Sequence, residues 1–199
     1  MTPKVTLGPQ TLLYPMPALL VGATVDGNPN FMTVAWGGIA NSDPPMLTVG
    51  VRHNRHTMKG IRENGTFSVN VPSVDQVKET DYCGIFSGSR EDKVAKCGFT
   101  VFYGHSATAP LIGECPVNLE CKVIHVLDLG THALVVGQIT ETHVSEDCLT
   151  AGEPDVHKIR PFAYTPGVNK ENWYCALGEE IAKAFSVGME IKKGPGSAS

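Results

Sequence analysis

The chain reads Asn30-Phe31-Met32-Thr33-Val34-Ala35-Trp36 and then, beyond Asp43-Pro44-Pro45, Met46-Leu47-Thr48-Val49-Gly50-Val51. The second run is short, apolar and partly β-branched, and the first is an apolar stretch of similar kind, which is typical of strands with a buried face. The prolines between them interrupt any helix, because proline fixes φ and removes a hydrogen-bond donor. The stretch therefore predicts two strands joined by a turn at residues 41–45.

A cluster of polar residues follows the second strand, where Arg52, Arg55, His56 and Thr57 come at the expected start of a helix. A helix start has unpaired N–H groups and a partial positive charge, which suit a phosphate. Arginine adds a forked donor, and threonine adds a hydroxyl. An apolar strand beside this cluster predicts a site for a nucleotide-like cofactor. The alternative is a solvated arginine face, with Thr57 an ordinary helix residue.

Composition limits the class of partner. The chain has 199 residues, of which 42% are hydrophobic, and a net charge of −4. It can therefore bury a core of its own, and it has no global basic field for nucleic acid. The basic residues cluster locally, which favours a small anion. We expect a single domain over residues 1–193 and a disordered tail over residues 194–199, which are small and polar.

The cysteine pattern argues against a metal centre and against a disulfide framework. The six cysteines form no C-x-x-C pair, so neither a zinc nor an iron–sulfur site is expected. Cys115 and Cys121 are expected on one strand, too far apart to bridge within it. Reduced thiols, with no signal peptide and no apolar run of about 20 residues, predict a cytoplasmic protein without a membrane span. A redox role for Cys83 or Cys175 is the alternative.

Further strands are predicted at residues 18–25, 66–71, 117–129 and 132–144, with Asp26-Gly27 as a hairpin turn. The last two runs form a long hairpin with one buried face. His125, His132 and His143 fall in this hairpin at a spacing that does not bring them together, so no metal site is expected there.

Helices are predicted at residues 57–64, ended by Gly65, and at residues 74–82, capped by Ser73. Residues 147–166 are rich in loop signals.

Another short amphipathic helix is predicted at residues 177–185. Its apolar face (Leu177, Ile181 and Phe185) is expected to contact the core or another subunit.

Residues 87–93 read Ser-Gly-Ser-Arg-Glu-Asp-Lys and permit two interpretations. A loop of serine and glycine before Arg90 and Lys93 could bind an anion. The local alternative, which common helix caps favour, is that Ser89 caps a helix from Arg90 that Gly98 ends.

The predicted elements describe a mainly β protein with four or five short helices inserted between antiparallel strands, which favours a barrel or a sandwich. Neither G-x-G-x-x-G nor a Walker loop is present, which disfavours a Rossmann or P-loop fold.

Several motifs then occur in a specific order over nearly the whole chain beyond its first ten residues. They are Pro29-Asn30-Phe31-Met32-Thr33-Val34-Ala35-Trp36, Pro44-Pro45, Val51-Arg52, Arg55-His56-Thr57, Phe67-Ser68-Val69-Asn70-Val71-Pro72, and Ser87-Gly88 followed by Asp92-Lys93. Together they resemble the flavin reductase-like family. The resemblance implies a six-stranded antiparallel FMN-binding split barrel, usually a homodimer, with one FMN per subunit near the dimer interface.

The resemblance also implies which residues bind FMN. Residues along the isoalloxazine ring would be Asn30, Met32, Thr33, Val34, Ala35 and Trp36. The ribityl phosphate would be held by Arg52, Arg55, His56 and Thr57. Closure over the phosphate or ribityl chain would come from Ser87, Gly88, Arg90 and Lys93, which reverses the local preference for a bare helix cap. No catalytic acid–base residue is implied.

Three functions stay open at this point. The first is an FMN-bound electron-transfer protein, reduced by a donor such as a ferredoxin-like protein. The second is a NAD(P)H-dependent reductase of free flavin or of ferric complexes. The third is a non-catalytic module that sequesters or senses a flavin.

Overall fold

The computed structural model describes residues 1–189 and 191. The strands, in chain order, are β1 (Met16–Pro17), β2 (Leu19–Val25), β3 (Asn28–Val34), β4 (Gly37–Ser42), β5 (Pro45–Arg52), β6 (Thr66–Val71), β7 (Val101–Phe102), β8 (Leu111–Ile112), β9 (Val117–Asp128), β10 (His132–Val144), β11 (Leu149–Thr150), β12 (Glu153–Pro154), β13 (Phe162–Pro166) and β14 (Asn172–Ala176). The α-helices are α1 (His56–Asn64), α2 (Val77–Ile85), α3 (Lys93–Cys97) and α4 (Val156–Ile159). Short 3₁₀ turns lie at Val74–Gln76, Glu146–Cys148 and Val168–Lys170. The predicted disorder of residues 194–199 lies outside the described residues.

An antiparallel sheet of seven strands, in the order β3-β2-β6-β9-β10-β5-β4, forms the body of the molecule. β3 and β5 contact each other although they lie near opposite ends of this order, so the sheet curls into a split barrel. The predicted antiparallel split barrel is therefore confirmed, with β4 as an additional edge strand. A second sheet, in the order β1-β13-β14, lies beside it, and two small sheets pair β11 with β12 and β7 with β8.

The barrel interior holds one face of each strand. Val21, Met32, Val49 and Phe67 are buried there, and Met58 of α1 packs into the same cluster. Because strand side chains alternate between faces, the other face of β2 and β3 is free to pack elsewhere. There a second cluster, which includes Leu20, Phe31, Cys83, Phe99 and Ile112, packs the sheet against α2 and α3. Helices therefore cover the outside of the strand that begins the candidate site.

Most of the predicted local signals are confirmed. The Asp26-Gly27 turn joins β2 to β3 with φ of 50° and 80°, as a turn with two left-handed central residues requires. Gly65 ends α1 in the left-handed conformation and donates its N–H to Ile61 O. Ser73 forms a capping box at the 3₁₀ turn that leads into α2. The long hairpin is β9 and β10.

The cap predicted at Ser89 is wrong. Asp92 caps α3 instead, accepting a hydrogen bond from Ala95 N at 3.0 Å. Residues 87–90 form a turn in which Arg90 N donates to Ser87 O. Aspartate caps a helix as well as serine does, and here the later residue begins the helix. Gly98 ends it as predicted.

The helix predicted at residues 177–185 is also wrong. The chain there is not helical, and Leu177, Ile181 and Phe185 are exposed. An isolated helix of this length is unstable unless its apolar face is buried, and no such burial occurs. Just before it, β14 pairs with β13, and β13 lies inside the region 147–166 that was predicted to be loop.

All six cysteines lie in the described part of the chain and are free. Cys83, Cys115, Cys121 and Cys148 are buried, and Cys175 on β14 is exposed. Cys115 precedes β9, so it does not share a strand with Cys121, contrary to the prediction.

Candidate functional site

A cavity of about 320 Å³, here called the strand cavity, opens between β3 and β5. Of the residues predicted to contact the ring, Met32 to Trp36 line this cavity without a gap, and Asn30 does not line it. The opposite wall is Gly50, Val51 and Arg52 of β5, and Arg55 lies at the start of α1. The fold thus brings together two stretches that the sequence placed on neighbouring strands.

One wall of the strand cavity is a stacked pair of rings. The centroids of Trp36 and His132 are 4.7 Å apart, and their planes are inclined by 34°. Gly50 N donates to Trp36 O at 2.7 Å, which holds this wall against β5. Burial lowers the pKa of His132 below its ordinary value of 6.5, and the nearby Arg52, His53 and Arg55 lower it further. His132 is therefore uncharged at neutral pH.

The other wall comes from α2 and the second sheet, and the sequence analysis missed it. Tyr174 of β14 donates from Oη to Asp81 Oδ1 at 3.0 Å, and Tyr164 lies beside it on β13. Burial raises the pKa of Tyr174, and the hydrogen bond with the Asp81 carboxylate raises it further. A local signal could have indicated only β13, through the aromatic and β-branched residues Phe162, Tyr164 and Thr165 before Pro166-Gly167.

Two guanidinium groups at the strand cavity have no acidic partner among the residues that the structure describes. Arg55 Nη1 donates to Gly84 O at 3.3 Å, and Arg52 is exposed at the end of β5. Within residues 1–189 and 191, neither side chain lies within 4.0 Å of a carboxylate. Their charge is therefore available to an anionic ligand.

A second cavity of about 540 Å³, here called the loop cavity, holds other predicted residues. Asn30, His56, Gly88, Arg90 and Lys93 line it. It adjoins the strand cavity along the chain, because β3 and the start of α1 contribute to both.

Ser87 is not part of the loop cavity lining, and its Oγ contacts Ser89 Oγ at 2.9 Å.

A tight contact shapes the loop cavity. Asn30 Nδ2 donates to Thr57 Oγ1 at 2.6 Å, and both residues are buried. A Cβ on Gly88 would overlap Asn30 Oδ1 and lie 2.6 Å from Asn30 Cγ, so only glycine fits there. Thr57, whose hydroxyl was predicted to contact a phosphate, is 1% exposed as a residue, and that hydroxyl accepts the hydrogen bond from Asn30.

Lys93 is 4% exposed, although it was predicted to close over the phosphate or ribityl chain. Its Nζ donates to Phe31 O at 2.8 Å and to Cys83 O at 2.9 Å, tying β3 to α2. Burial lowers the pKa of this ammonium group below its ordinary value. One of its three N–H donors is left over for a ligand.

The histidines of the long hairpin do not come together at one site. His143 Nε2 lies 2.9 Å from Oε1 of the buried Glu120, while His132 lines the strand cavity. Among the residues described, no three His, Cys, Asp or Glu side chains are grouped so as to hold a metal ion. Nor is any helix of the described chain both long and apolar enough to cross a bilayer.

Comparison with known proteins adds the family. The protein-family model described as 'Flavin reductase like domain' matches residues 11–168 of this chain. The structure of flavoredoxin from Methanosarcina acetivorans is 40% identical, with a TM-score of 0.89 over 96% of this chain and 100% of that one. Flavoredoxin of Desulfovibrio vulgaris (Miyazaki F) is 42% identical, with a TM-score of 0.84 over 93% and 99%. A ferric-chelate reductase (NAD(P)H) from Archaeoglobus fulgidus is 26% identical over 131 residues, which cover 62% of this chain and 76% of the relative.

Proposed function

This chain belongs to the flavin reductase-like family, and on that premise we propose that it binds FMN and acts in electron transfer as flavoredoxins do. One observation carries the proposal. A cavity whose walls include apolar and aromatic side chains lies next to a second cavity, whose lining combines Arg90, Lys93 and the start of α1 with Asp26, Glu91 and Asp92. Of these carboxylates, Asp26 pairs with Lys59 and Asp92 caps α3. Such a pair of cavities fits a ligand with a flat ring at one end and a phosphate at the other.

The residues present fit FMN. In the strand cavity, the backbone of Met32–Val34 is extended and bends at Ala35 and Trp36, so its N–H and C=O groups would face the polar edge of the isoalloxazine, and Trp36 and His132 would offer flat surface. In the loop cavity, His56, Arg90 and the third N–H of Lys93 are donors for the phosphate. Arg52 and Arg55 line the strand cavity and would add two positive charges that have no acidic partner among the described residues.

FMN supplies the electron chemistry when bound, because its ring accepts and returns electrons or a hydride. The chain's own residues bind, orient and shield it. Tyr164 and Tyr174 cover one side of the strand cavity, and the Tyr174–Asp81 hydrogen bond holds that cover to α2. The two arginines favour a negative charge at the ring. Because His132 is neutral, it adds flat surface to the wall without adding charge.

The visible spectrum of the purified protein, before and after anaerobic addition of NADPH, tests the proposal. We expect a two-banded flavin spectrum and release of FMN on denaturation. Bound flavin that NADPH leaves oxidised, but that a reduced ferredoxin-like donor bleaches, supports the electron carrier. A colourless protein that does not take up added FMN would refute the proposal.

A second candidate is a NAD(P)H-dependent reductase of free flavin or of ferric complexes. The ferric-chelate reductase relative supports it. An apolar groove of about 690 Å³, here called the arm groove, shares Trp36, Gly50 and His132 with the strand cavity. Rapid bleaching of the flavin by NADPH or NADH supports this candidate. Inertness to every donor would leave the non-catalytic flavin-binding module.

We further propose that the protein is a cytoplasmic homodimer. The arm groove is bordered by exposed apolar side chains of the N-terminal arm, β4 and the turn before β10, among them Leu13, Ile39 and Leu129. Apolar patches of this kind mark contact surfaces, and a second copy seated there would adjoin the strand cavity. The six free cysteines support a reducing compartment.

A further inference from the structure

A cationic groove along α1 has no part in the proposed FMN site beyond the two residues it shares with that site. It has a volume of about 490 Å³, and we call it the helix groove. Its charged and titratable lining is His53, Arg55, His56, Lys59, Arg62 and Glu63. Arg55 also lines the strand cavity, and His56 also lines the loop cavity, so the groove begins where the flavin site ends.

Some of these side chains already have an acidic partner. Lys59 Nζ lies 2.6 Å from Asp26 Oδ1 and 3.8 Å from Glu63 Oε1. His53 Nε2 lies 3.2 Å from Asp128 Oδ1. Arg62, in contrast, has no carboxylate within 4.0 Å in the part of the chain that the structure covers. The groove therefore presents two guanidinium groups, Arg55 and Arg62, that have no acidic partner within residues 1–189 and 191.

A hydrogen-bond chain orients Arg62. Its Nη2 lies 3.1 Å from His53 Nδ1, while His53 Nε2 lies 3.2 Å from Asp128 Oδ1 and 3.0 Å from Gly130 O. These contacts are satisfied when His53 carries its proton on Nε2, so that Nδ1 accepts from the guanidinium. The remaining N–H groups of Arg62 are then held in place for a ligand, and a fixed planar fork suits a phosphate.

We propose that the helix groove binds the 2′-phosphate of NADPH and makes this chain prefer NADPH to NADH. The inference rests on the second proposed function, in which a nicotinamide nucleotide reduces the bound flavin. NADH has a neutral hydroxyl where NADPH has the phosphate, and arginine is the residue that accommodates this group in other NADP sites. Because Arg55 lines both sites, one nucleotide can present its nicotinamide at the strand cavity and its 2′-phosphate at Arg62.

Calorimetry with two nucleotide fragments tests the inference without requiring turnover. The FMN-loaded protein is titrated with 2′,5′-ADP and with 5′-AMP. We expect 2′,5′-ADP to bind at least about tenfold more tightly, which corresponds to one charge-assisted contact. Raising the salt concentration should reduce that preference, because Arg62 is exposed.

Variants assign the preference to Arg62. Arg62→Gln should bring the two affinities to within about threefold of each other, and Arg62→Lys should keep part of the preference, because charge remains without the fork. The matched control is Arg160→Gln, since Arg160 is also exposed but pairs with Asp75 Oδ2 at 2.7 Å away from the groove. It should bind both fragments as the wild type does.

Two results would overturn the inference: equal affinity of the wild type for both fragments, or a preference that survives in Arg62→Gln. Anaerobic addition of NADPH to each FMN-loaded preparation separates this failure from that of the second proposed function, because flavin that NADPH leaves oxidised refutes that function. A protein that holds FMN but does not distinguish the fragments refutes only the helix-groove assignment. A protein that neither holds nor takes up FMN refutes the flavin site itself.

Discussion

Gly88→Ala probes the contact between the loop cavity and β3. The new Cβ would overlap Asn30 Oδ1 and lie 2.6 Å from Asn30 Cγ. Asn30 cannot swing away freely, because it is buried and donates to Thr57 at 2.6 Å. Overpacking costs about 1–3 kcal/mol, and loss of the Asn30–Thr57 hydrogen bond about 1 kcal/mol. Alanine returns about 0.4–1 kcal/mol by restricting the unfolded chain.

The sum is a loss of about 2 kcal/mol in the free energy of unfolding. For a chain of this size it corresponds to a fall of about 4–8 °C in Tm. Urea unfolding of the apoprotein measures the loss, and a titration with FMN measures the accompanying fall in affinity. Gly38→Ala is the control, because a Cβ there has no atom within 4 Å. It should be neutral or stabilising by up to about 1 kcal/mol. Equal stability of the two variants, with unchanged FMN affinity, would show that Asn30 is not held as described.

Four further predictions concern single side chains. Arg55→Ala should weaken FMN binding at least about tenfold, as should Arg52→Ala. Copurification of either variant with full flavin and an unchanged Kd would contradict this. Lys93→Met should lower the free energy of unfolding by about 2–4 kcal/mol, because Phe31 O and Cys83 O lose their donor. Lys96→Met, at an exposed lysine, should leave the free energy of unfolding unchanged. Equal stability of these two variants would refute the proposed link between β3 and α2. Burial tends to raise the pKa of Glu120, but hydrogen bonds from His143 and from the Ser106 and His105 N–H groups outweigh it, so the pKa lies below 4.5. Its stabilisation is therefore complete above about pH 4.5 and is lost as the pH falls through the native pKa. Glu120→Gln should reduce the loss of stability at acidic pH, whereas Glu141→Gln should leave it as in the wild type. An unchanged acid dependence of stability in Glu120→Gln would disprove the role given to Glu120. Ile39→Glu should shift the protein from dimer to monomer in sedimentation analysis, whereas a wild-type monomer would exclude the proposed dimer.

Strand alternation, turn glycines and caps are local signals, and they predicted β2, β3, β5, β6, β9, β10 and α1 from the sequence. The failures share a physical cause. The periodicity of residues 177–185 is that of an amphipathic helix, but periodicity does not reveal whether a surface exists to cover the apolar face. Ser89 and Asp92 are both good caps, and nothing local decides between them.

The candidate site likewise has a part that local sequence signals predicted and a part that they did not. Its ring-binding run and its arginines follow short motifs, so they could be named in advance. The wall formed by Tyr174 and Asp81 joins residues 93 positions apart, and the tie from Lys93 to Phe31 O spans 62. Partners so distant in the sequence leave no trace in a local pattern. From the sequence, the cationic side chain of Lys93 suits a phosphate. The structure shows that it is buried and donates to two backbone carbonyl groups.

One cysteine is the best placed for chemical labelling, because Cys175 is exposed, whereas Cys97 is half-buried and the other four are buried. Burial raises the pKa of Cys83 and of Cys121 to about 12, and that of Cys115 still further. At neutral pH a thiol with such a pKa is ionised in only about one molecule in 10⁵. Cys175 is exposed on β14, next to Tyr174 in the wall of the strand cavity. A maleimide dye should therefore label the wild-type chain at this cysteine first, and its emission would report whether a light-absorbing ligand occupies the neighbouring cavity.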